Sequence, residues 1–250
     1  MTVQFKVALA ALLVSAAPVH ATVYDLNGDF SDSLNPNGTW SYGSGLAHYA
    51  QPTSPFNSLN AAAANGYWGS GSDFFSAPFI LKSTADGSTI GYTDGDFLTG
   101  DVLVHGPNDG SPVAIDWTAP GDGTISFTSA FWYAHSVVTR SQDIAVALNG
   151  SLLNSLTVDN GDVRSTAQTI SAIDLAVHAG DVLSFSFAKT AGQSFGSLSG
   201  IRASVDFTAT PPPPPPPPGV PEPASWALMI MGLALTGGLM RRRAATVAFA

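Results

Sequence analysis

Residues 142–150 read QDIAVALNG, and this stretch decides the fold class. Ile144, Val146 and Leu148 alternate with other residues, and a period of two predicts a strand with one buried face. Asn149-Gly150 follows at once and precedes a second strand-like run. This dipeptide is the strongest short signal for a β-hairpin. We therefore expect two antiparallel strands joined by a two-residue turn.

The same period recurs along the second half of the chain. Apolar residues alternate in four more runs: 113–118, 125–131, 183–187 and 201–207. Clusters of turn-forming residues stand between the runs: 93–96, 107–110, 120–123 and 159–162. Of the acidic residues only Glu222 is a glutamate, and aspartate favours turns over helices. The sequence predicts an all-β protein, an antiparallel β-sandwich of jelly-roll type, with an N-terminal signal helix and a single C-terminal transmembrane helix.

Composition narrows the range of partners. The chain has 250 residues, a net charge of −9 and only 9 Lys plus Arg. Three of these are consecutive at 241–243, and the five in the middle of the chain are scattered among aspartates. Because phosphate binding needs clustered basic residues, we expect no nucleic-acid partner. The sequence has no cysteine, which excludes disulfides and thiolate metal sites.

The N-terminus has the pattern of a secretory signal. Lys6 supplies a positive charge, and Val7–Val14 is an apolar run too short to span a bilayer. Val19-His20-Ala21 places small or modest residues where a signal peptidase reads. We predict a signal peptide at 1–21, cleaved after Ala21.

The C-terminus reads as a spacer followed by a membrane segment. Pro211–Pro218 predicts a stiff polyproline II rod within a linker at 211–219. Residues 224–240 form an apolar segment of transmembrane length. The arginines at 241–243 place the end of the chain, 244–250, in the cytoplasm, and the preceding domain outside.

These parts together resemble the PEP-CTERM sorting tail of Gram-negative bacteria. The resemblance lies in an apolar helix flanked by seven residues: Val220, Pro221, Glu222, Pro223, Arg241, Arg242 and Arg243. It implies a sorting signal at 220–243 that an exosortase-type membrane peptidase processes near the Pro-Glu-Pro. The family is associated with species that make exopolysaccharide. Ala244–Ala250 runs further past the arginines than the family pattern.

A softer resemblance covers residues 22–210. The order of its motifs resembles a domain of bacterial exported proteins, carried by five segments: 35–43, 102–105, 117–127, 149–150 and 180–185. The family has His followed directly by Pro, whereas Gly106 stands between His105 and Pro107 here. The resemblance implies a sandwich and no defined activity.

Catalytic and metal motifs have weak support. Gly192–Gly196 matches the G-x-S-x-G pattern of a hydrolase, with Ser194 as nucleophile, but no helix pattern follows it. The four histidines outside the signal peptide are not spaced as metal ligands. Five aspartates in turns could supply oxygen ligands to Ca²⁺, although turn formation explains them as well: Asp94, Asp96, Asp101, Asp159 and Asp162. Asp116 and Asp143 lie on predicted strands, but we name no catalytic pair.

Aromatic residues are the candidates for stacking on sugar rings. Trp132 and Tyr133 are adjacent on a predicted strand and point to opposite faces, so one of them could be exposed. Tyr67 and Trp68 are the other adjacent pair. The alternative is that these rings belong to the core of the sandwich.

The sequence therefore predicts an exported, surface-sorted and non-enzymatic protein of the cell envelope or exopolysaccharide matrix, structural or adhesive in role. The expected partners are signal peptidase, an exosortase-type peptidase, the membrane and a polysaccharide. One alternative is a carbohydrate-binding module with a defined aromatic site, and the second is a hydrolase.

Overall fold

Strands dominate the chain between residues 21 and 209. The computed structural model describes residues 21–44, 47–51, 64–70, 77–90, 95–135, 139–213 and 223–246. The chain divides after Thr210 into two compact units. Of the predicted signal peptide only Ala21 is described, and Val220, Pro221 and Glu222 of the predicted sorting motif also lie outside the described residues.

The first sheet has seven antiparallel strands. In chain order its strands are β1 (Ala21–Asp25), β4 (Tyr67–Gly69), β5 (Phe79–Lys82), β6 (Val102–His105), β8 (Gly123–Tyr133), β11 (Gln168–Val177) and β13 (Leu198–Ala209). Their order in the sheet is β11-β8-β13-β6-β5-β4, and β1 also pairs with β13. A single turn of helix, α1 (Leu26–Asp29), follows β1 and is capped by the Asp25 carboxylate, which accepts from Gly28 N.

The second sheet has six antiparallel strands. In chain order these are β2 (Trp40–Ser44), β3 (Ala47–His48), β7 (Val113–Thr118), β9 (Ser141–Leu148), β10 (Ser151–Asp159) and β12 (Val182–Lys189). Their order in the sheet is β10-β9-β12-β7-β2-β3. The predicted antiparallel β-sandwich is therefore confirmed.

The main core lies between the two sheets. The alternating residues predicted from the sequence point into it: Ile115 and Trp117 of β7, and Phe185 of β12, are fully buried. Phe127 of the first sheet packs edge-on against Phe185 of the second, with ring centroids 6.0 Å apart. Such contacts bury the large aromatic rings that dominate the energetics of a sandwich.

The predicted hairpin joins β9 to β10. Asn149 and Gly150 both have positive φ, 51° and 76°, as a two-residue turn of this hand requires. Ser151 pairs with Leu148, so Asn149 and Gly150 form the whole loop. The Asn149 side chain also accepts a hydrogen bond from Val182 N, at 2.9 Å, which ties the turn to β12.

A second core covers the outer face of the first sheet. Its buried residues come from alternate strand positions and from the segments around them: Ala64, Tyr67, Phe79, Leu81, Phe97, Leu103, Trp132, Ala134 and Leu198. Phe97 belongs to the segment 95–101, which crosses this face. The backbone hydrogen bond from Asp96 N to Ala134 O, at 2.8 Å, anchors the segment at the residue that follows β8.

In the C-terminal unit the structure describes a helix, α2 (Pro223–Thr246), which is 24 residues long. Ala224–Arg241 has a mean hydropathy of 1.3, and its side chains are exposed along the whole segment. By length and composition it is able to cross a membrane, in agreement with the helix predicted at 224–240.

Candidate functional site

The outer face of the second sheet carries small and polar side chains. Asp116 of β7 lies in its middle, directly opposite Ser184 of β12 on one side and Ser41 of β2 on the other. Ala147 of β9 continues the same row beyond Ser184. Because strand residues alternate between faces, the inward-facing neighbours Ile115 and Trp117 fix Asp116 on the outside.

A cavity of about 380 Å³ opens at this row. Its floor is formed by strand residues, its rim includes His48 of β3 and the β9–β10 turn, and the polar groups that line it are Ser41, His48, Asp116, Thr118, Asn149 and Ser184. None of the described residues that line it is Lys or Arg. We call this space the Asp116 cavity.

The Asp116 carboxylate is held in an incompletely satisfied state. Its Oδ1 atom is buried and accepts no hydrogen bond from the described residues. Burial raises the pKa of Asp116, while a hydrogen bond from the Ser184 hydroxyl and the proximity of His48 act in the opposite direction. A shielded carboxylate without its full set of donors costs free energy, so this group calls for a functional explanation.

Asp116 and Asp143 do not form a glycosidase pair. Asp143 lies two strands away, and its Oδ1 already accepts from the hydroxyls of Thr157 and Thr190, at 2.7 and 2.8 Å. Strand spacing and the register place the two carboxylates roughly 16 Å apart. Known pairs are separated by about 5–9.5 Å, so the face does not position two acids around one glycosidic bond.

The four aromatic residues predicted to stack on a ligand are all buried, so this expectation is corrected. Trp132, Tyr133, Tyr67 and Trp68 are each at most 3% exposed. Adjacent residues do point to opposite faces: Tyr133 and Trp68 belong to the main core, Trp132 and Tyr67 to the second core. No ring face is left free, because the far side of the first sheet is itself covered.

Trp132 is covered by an arginine–aspartate network. The Arg164 and Arg202 guanidiniums lie 5.8 and 5.0 Å from its ring centroid. Both arginines bind Asp101, whose side chain is 4% exposed, and the shortest contact is 2.6 Å from Arg164 Nε to Asp101 Oδ2. Asp101 also accepts from Leu98 N at 2.8 Å. The network therefore fastens a loop over the tryptophan, which is a structural role.

One exposed ring was missed by the sequence interpretation. Phe195 is 51% exposed. The other Phe, Tyr and Trp side chains of the described sandwich are buried or half-buried. The Arg140 guanidinium lies 4.9 Å from its centroid, and Arg140 Nη1 donates to Gly196 O at 3.1 Å. An isolated Phe in a Gly- and Ser-rich turn gives no periodic signal that would have singled it out.

Gly192–Gly196, the G-x-S-x-G match, lies in the turn between β12 and β13. Ser194 is exposed there, and a strand follows within two residues of the motif, whereas the hydrolase mechanism needs a helix at that point. The turn therefore lacks the nucleophile geometry of that enzyme class.

His105 is a buried residue, and His135 lies near it. His105 Nδ1 lies 2.8 Å from Gly106 O. Burial lowers the pKa of His105 to about 4, helped by nearby His135 and Arg140 and opposed by the Gly106 carbonyl. Within the described ranges no three His, Asp or Glu side chains converge as a metal site.

The aspartates considered for Ca²⁺ are engaged in the fold where they are described. Asp96 Oδ2 accepts from Arg164 N at 2.6 Å, and Asp101 binds the two arginines. Asp159 and Asp162 close their own turn through bonds to Gly161 N and Asp159 N. Asp94 lies outside the described residues.

Comparison with known proteins identifies the tail. The model of the PEP-CTERM protein-sorting motif matches residues 219–244, which include all seven residues predicted for the motif. The tail and its apolar helix fit an exported, membrane-anchored intermediate that precedes sorting to the surface. A search of curated proteins finds no match.

Solved structures that resemble the sandwich include carbohydrate-binding modules. A family 35 module from Clostridium thermocellum is 18% identical over 42% of this chain and 75% of its own, with a TM-score of 0.28. The C-terminal CBM6 of the laminarinase LamC from Zobellia galactanivorans is 14% identical over 42% and 78%, with a TM-score of 0.26. A CBM36 domain of a xylanase from the hindgut metagenome of Trinervitermes trinervoides is 13% identical over 44% and 78%, with a TM-score of 0.28.

Proposed function

We propose that this chain is a non-enzymatic structural or adhesive protein of the cell surface or exopolysaccharide matrix. Signal peptidase would remove residues 1–21, and α2 would hold the chain in the inner membrane. An exosortase-type peptidase would then process the tail near Pro221-Glu222-Pro223. The sandwich would act outside the cell, in contact with polysaccharide.

The observation that carries this proposal is the sorting motif at 219–244, which coincides with a membrane-length helix. The 18 residues Ala224–Arg241 extend about 27 Å as a helix, close to the hydrocarbon thickness of a bilayer. Arg241 ends this apolar segment. A tail of this kind is a substrate for processing and supplies no chemistry to the sandwich.

Localisation of the full chain tests the proposal. We expect the wild-type protein, expressed in its own host and detected with an antiserum raised against the sandwich, in the surface or matrix fraction. Replacing Pro221, Glu222 and Pro223 by Ala should leave it in the inner membrane, because α2 is intact and the processing signal is lost. Asp206→Ala, which removes an exposed carboxylate from β13, is the control and should be sorted normally.

Two results would contradict the proposal. Surface delivery of the triple-alanine variant at the wild-type level would show that the tail does not direct sorting. Release of the mature wild-type protein into the medium, with none retained by washed matrix, would exclude a structural or adhesive role.

A further inference from the structure

The Asp116 cavity has a feature that folding alone does not explain. A strand residue in the middle of a solvated face ordinarily keeps its charge in water or pairs it. Asp116 instead has its Oδ1 buried, and among the described residues no Lys or Arg lines the cavity. Asp143, on the same face, shows the ordinary solution, because two threonine hydroxyls donate to it.

The unmet requirement of Asp116 is a hydrogen-bond donor. Asp116 lines the cavity, so a donor there can reach its carboxylate beside the Ser184 hydroxyl and help to stabilise a charge that the buried Oδ1 position leaves poorly solvated. Hydrogen bonds to a carboxylate are stronger than neutral ones, so one well-placed hydroxyl would supply substantial affinity. Ser41, Thr118 and Ser184 add hydroxyls that both donate and accept.

The size and shape of the cavity fit a small hydroxylated ligand. Its volume of about 380 Å³ lies in the range of ligand sites, roughly 300–1,000 Å³. The side chains in the same row as Asp116, at Ser41, Ser184 and Ala147, are small and leave space above the sheet. A ring that bears several hydroxyls can therefore lie across three strands while the turn at Asn149 borders one side.

The negative charge of the Asp116 carboxylate favours neutral over anionic ligands. The chain has a net charge of −9. Among the described residues that line the cavity, Asp116 alone has a side chain that is ordinarily ionised at neutral pH, and it is an anion. An anionic sugar would place like charges together in a poorly solvated site, which is unfavourable. Ca²⁺ takes 6–8 oxygen ligands, commonly with several carboxylates, and one carboxylate is a poor site for it.

We propose that the Asp116 cavity binds a neutral, polyhydroxylated saccharide unit, with Asp116 accepting from sugar hydroxyls and excluding uronic acids. This goes beyond the proposed function, because a protein can be retained in a matrix without a defined pocket. A failure of the sorting and retention experiment would leave this site standing, and the reverse also holds.

Calorimetric titration of the full-length protein in detergent tests the site. The neutral probes are cellotetraose, mannotetraose and galactotetraose, and the acidic probe is tetragalacturonic acid. We expect binding of at least one neutral tetrasaccharide and none of the acidic one. Asp116→Asn preserves shape and one acceptor but removes the charge, and should weaken neutral binding roughly 10- to 100-fold.

Asp143→Asn is the matched control, since it makes the same change on the same face outside the cavity, and its affinity should stay within about twofold of wild type. Ser184→Val, which fills the floor of the cavity, is a second variant and should abolish binding. A single cooperative thermal transition, with a Tm no lower than that of the wild type, would show that the variants are folded. The proposal is overturned if no neutral probe binds, if tetragalacturonic acid binds as tightly as the neutral probes, or if Asp116→Asn binds like wild type.

Discussion

The two outer faces of the sandwich differ in what covers them. The outer face of the first sheet carries Trp132, Tyr67 and Leu103, and it is closed by a second core and by the Asp101 network. The outer face of the second sheet carries Ser41, Asp116 and other small or polar residues, and a cavity opens on it. One face has become part of the folded interior, whereas the other is available to a ligand.

This contrast shows what strand periodicity can and cannot predict. Alternation correctly separated Trp132 from Tyr133, but it could not show that distant segments cover Trp132. That cover depends on residues such as Phe97 and Asp101, about 30 positions away in sequence, whose own stretch has no strand pattern. The burial of an outward-facing ring is therefore a tertiary property.

Much of the fold was accessible from the sequence because its signals are local. The predicted strand at 113–118 is β7, and the Asn149-Gly150 turn is where the sequence places it. Asp116 was recognised as a strand residue, but its importance was not. Its partners Ser41 and Ser184 come from strands about 70 residues to either side, and only the register brings them together.

The largest expected effect is on the covered face. Trp132→Ala should lower the free energy of unfolding by about 3–5 kcal/mol, because it removes a fully buried ring and the surface on which two arginines lie. Ser155→Ala, at an exposed position on the outer face of the second sheet, should change it by less than about 0.5 kcal/mol. Chemical denaturation measures both, and a cost below about 1 kcal/mol for Trp132→Ala would mean that the second core adds little.

The next effect concerns the network that closes this face. Asp101→Ala leaves Arg164 and Arg202 without their carboxylate, and should cost about 3 kcal/mol. This is the lower end of the usual range, since both arginines retain access to water. Asp206→Ala, which removes an exposed carboxylate from the same strand as Arg202, is the control and should be near neutral. Equal stabilities of the two variants would contradict the role given to Asp101.

Acid should lower the free energy of unfolding through His105, which lies on the covered outer face of the first sheet. Its pKa of about 4 in the folded chain lies below the ordinary 6.5, so below pH 6.5 the unfolded chain binds a proton that the folded chain does not. The contribution of His105 to the free energy of unfolding is therefore fully present above pH 6.5, and it falls by about 2–3 kcal/mol as the pH drops to 4. His105→Gln should flatten this slope, whereas His178→Gln, at an exposed position, should not. A wild-type unfolding free energy that does not change over this window would refute the assignment.

The smallest expected change in stability is on the outer face of the second sheet, at Asp116. Because Asp116 has a raised pKa, its charge costs stability at neutral pH, and this cost disappears as the carboxyl is protonated. Asp116→Asn should therefore stabilise the protein by about 1 kcal/mol, a rise in Tm of roughly 2–4 °C. Asp143→Asn should give no rise, because the Asp143 carboxylate already accepts hydrogen bonds from two threonine hydroxyls. A fall in Tm for Asp116→Asn would indicate a structural role.

Hydrogen exchange of the full chain, with and without the neutral tetrasaccharide that binds best, tests most directly whether the two outer faces have different roles. Slower exchange is predicted in peptides from β2, β7 and β12 and in the Asn149-Gly150 turn, with β6, β8 and β13 unchanged. Protection centred on the first sheet, or a response that is identical in the Asp116→Asn variant, would contradict the account.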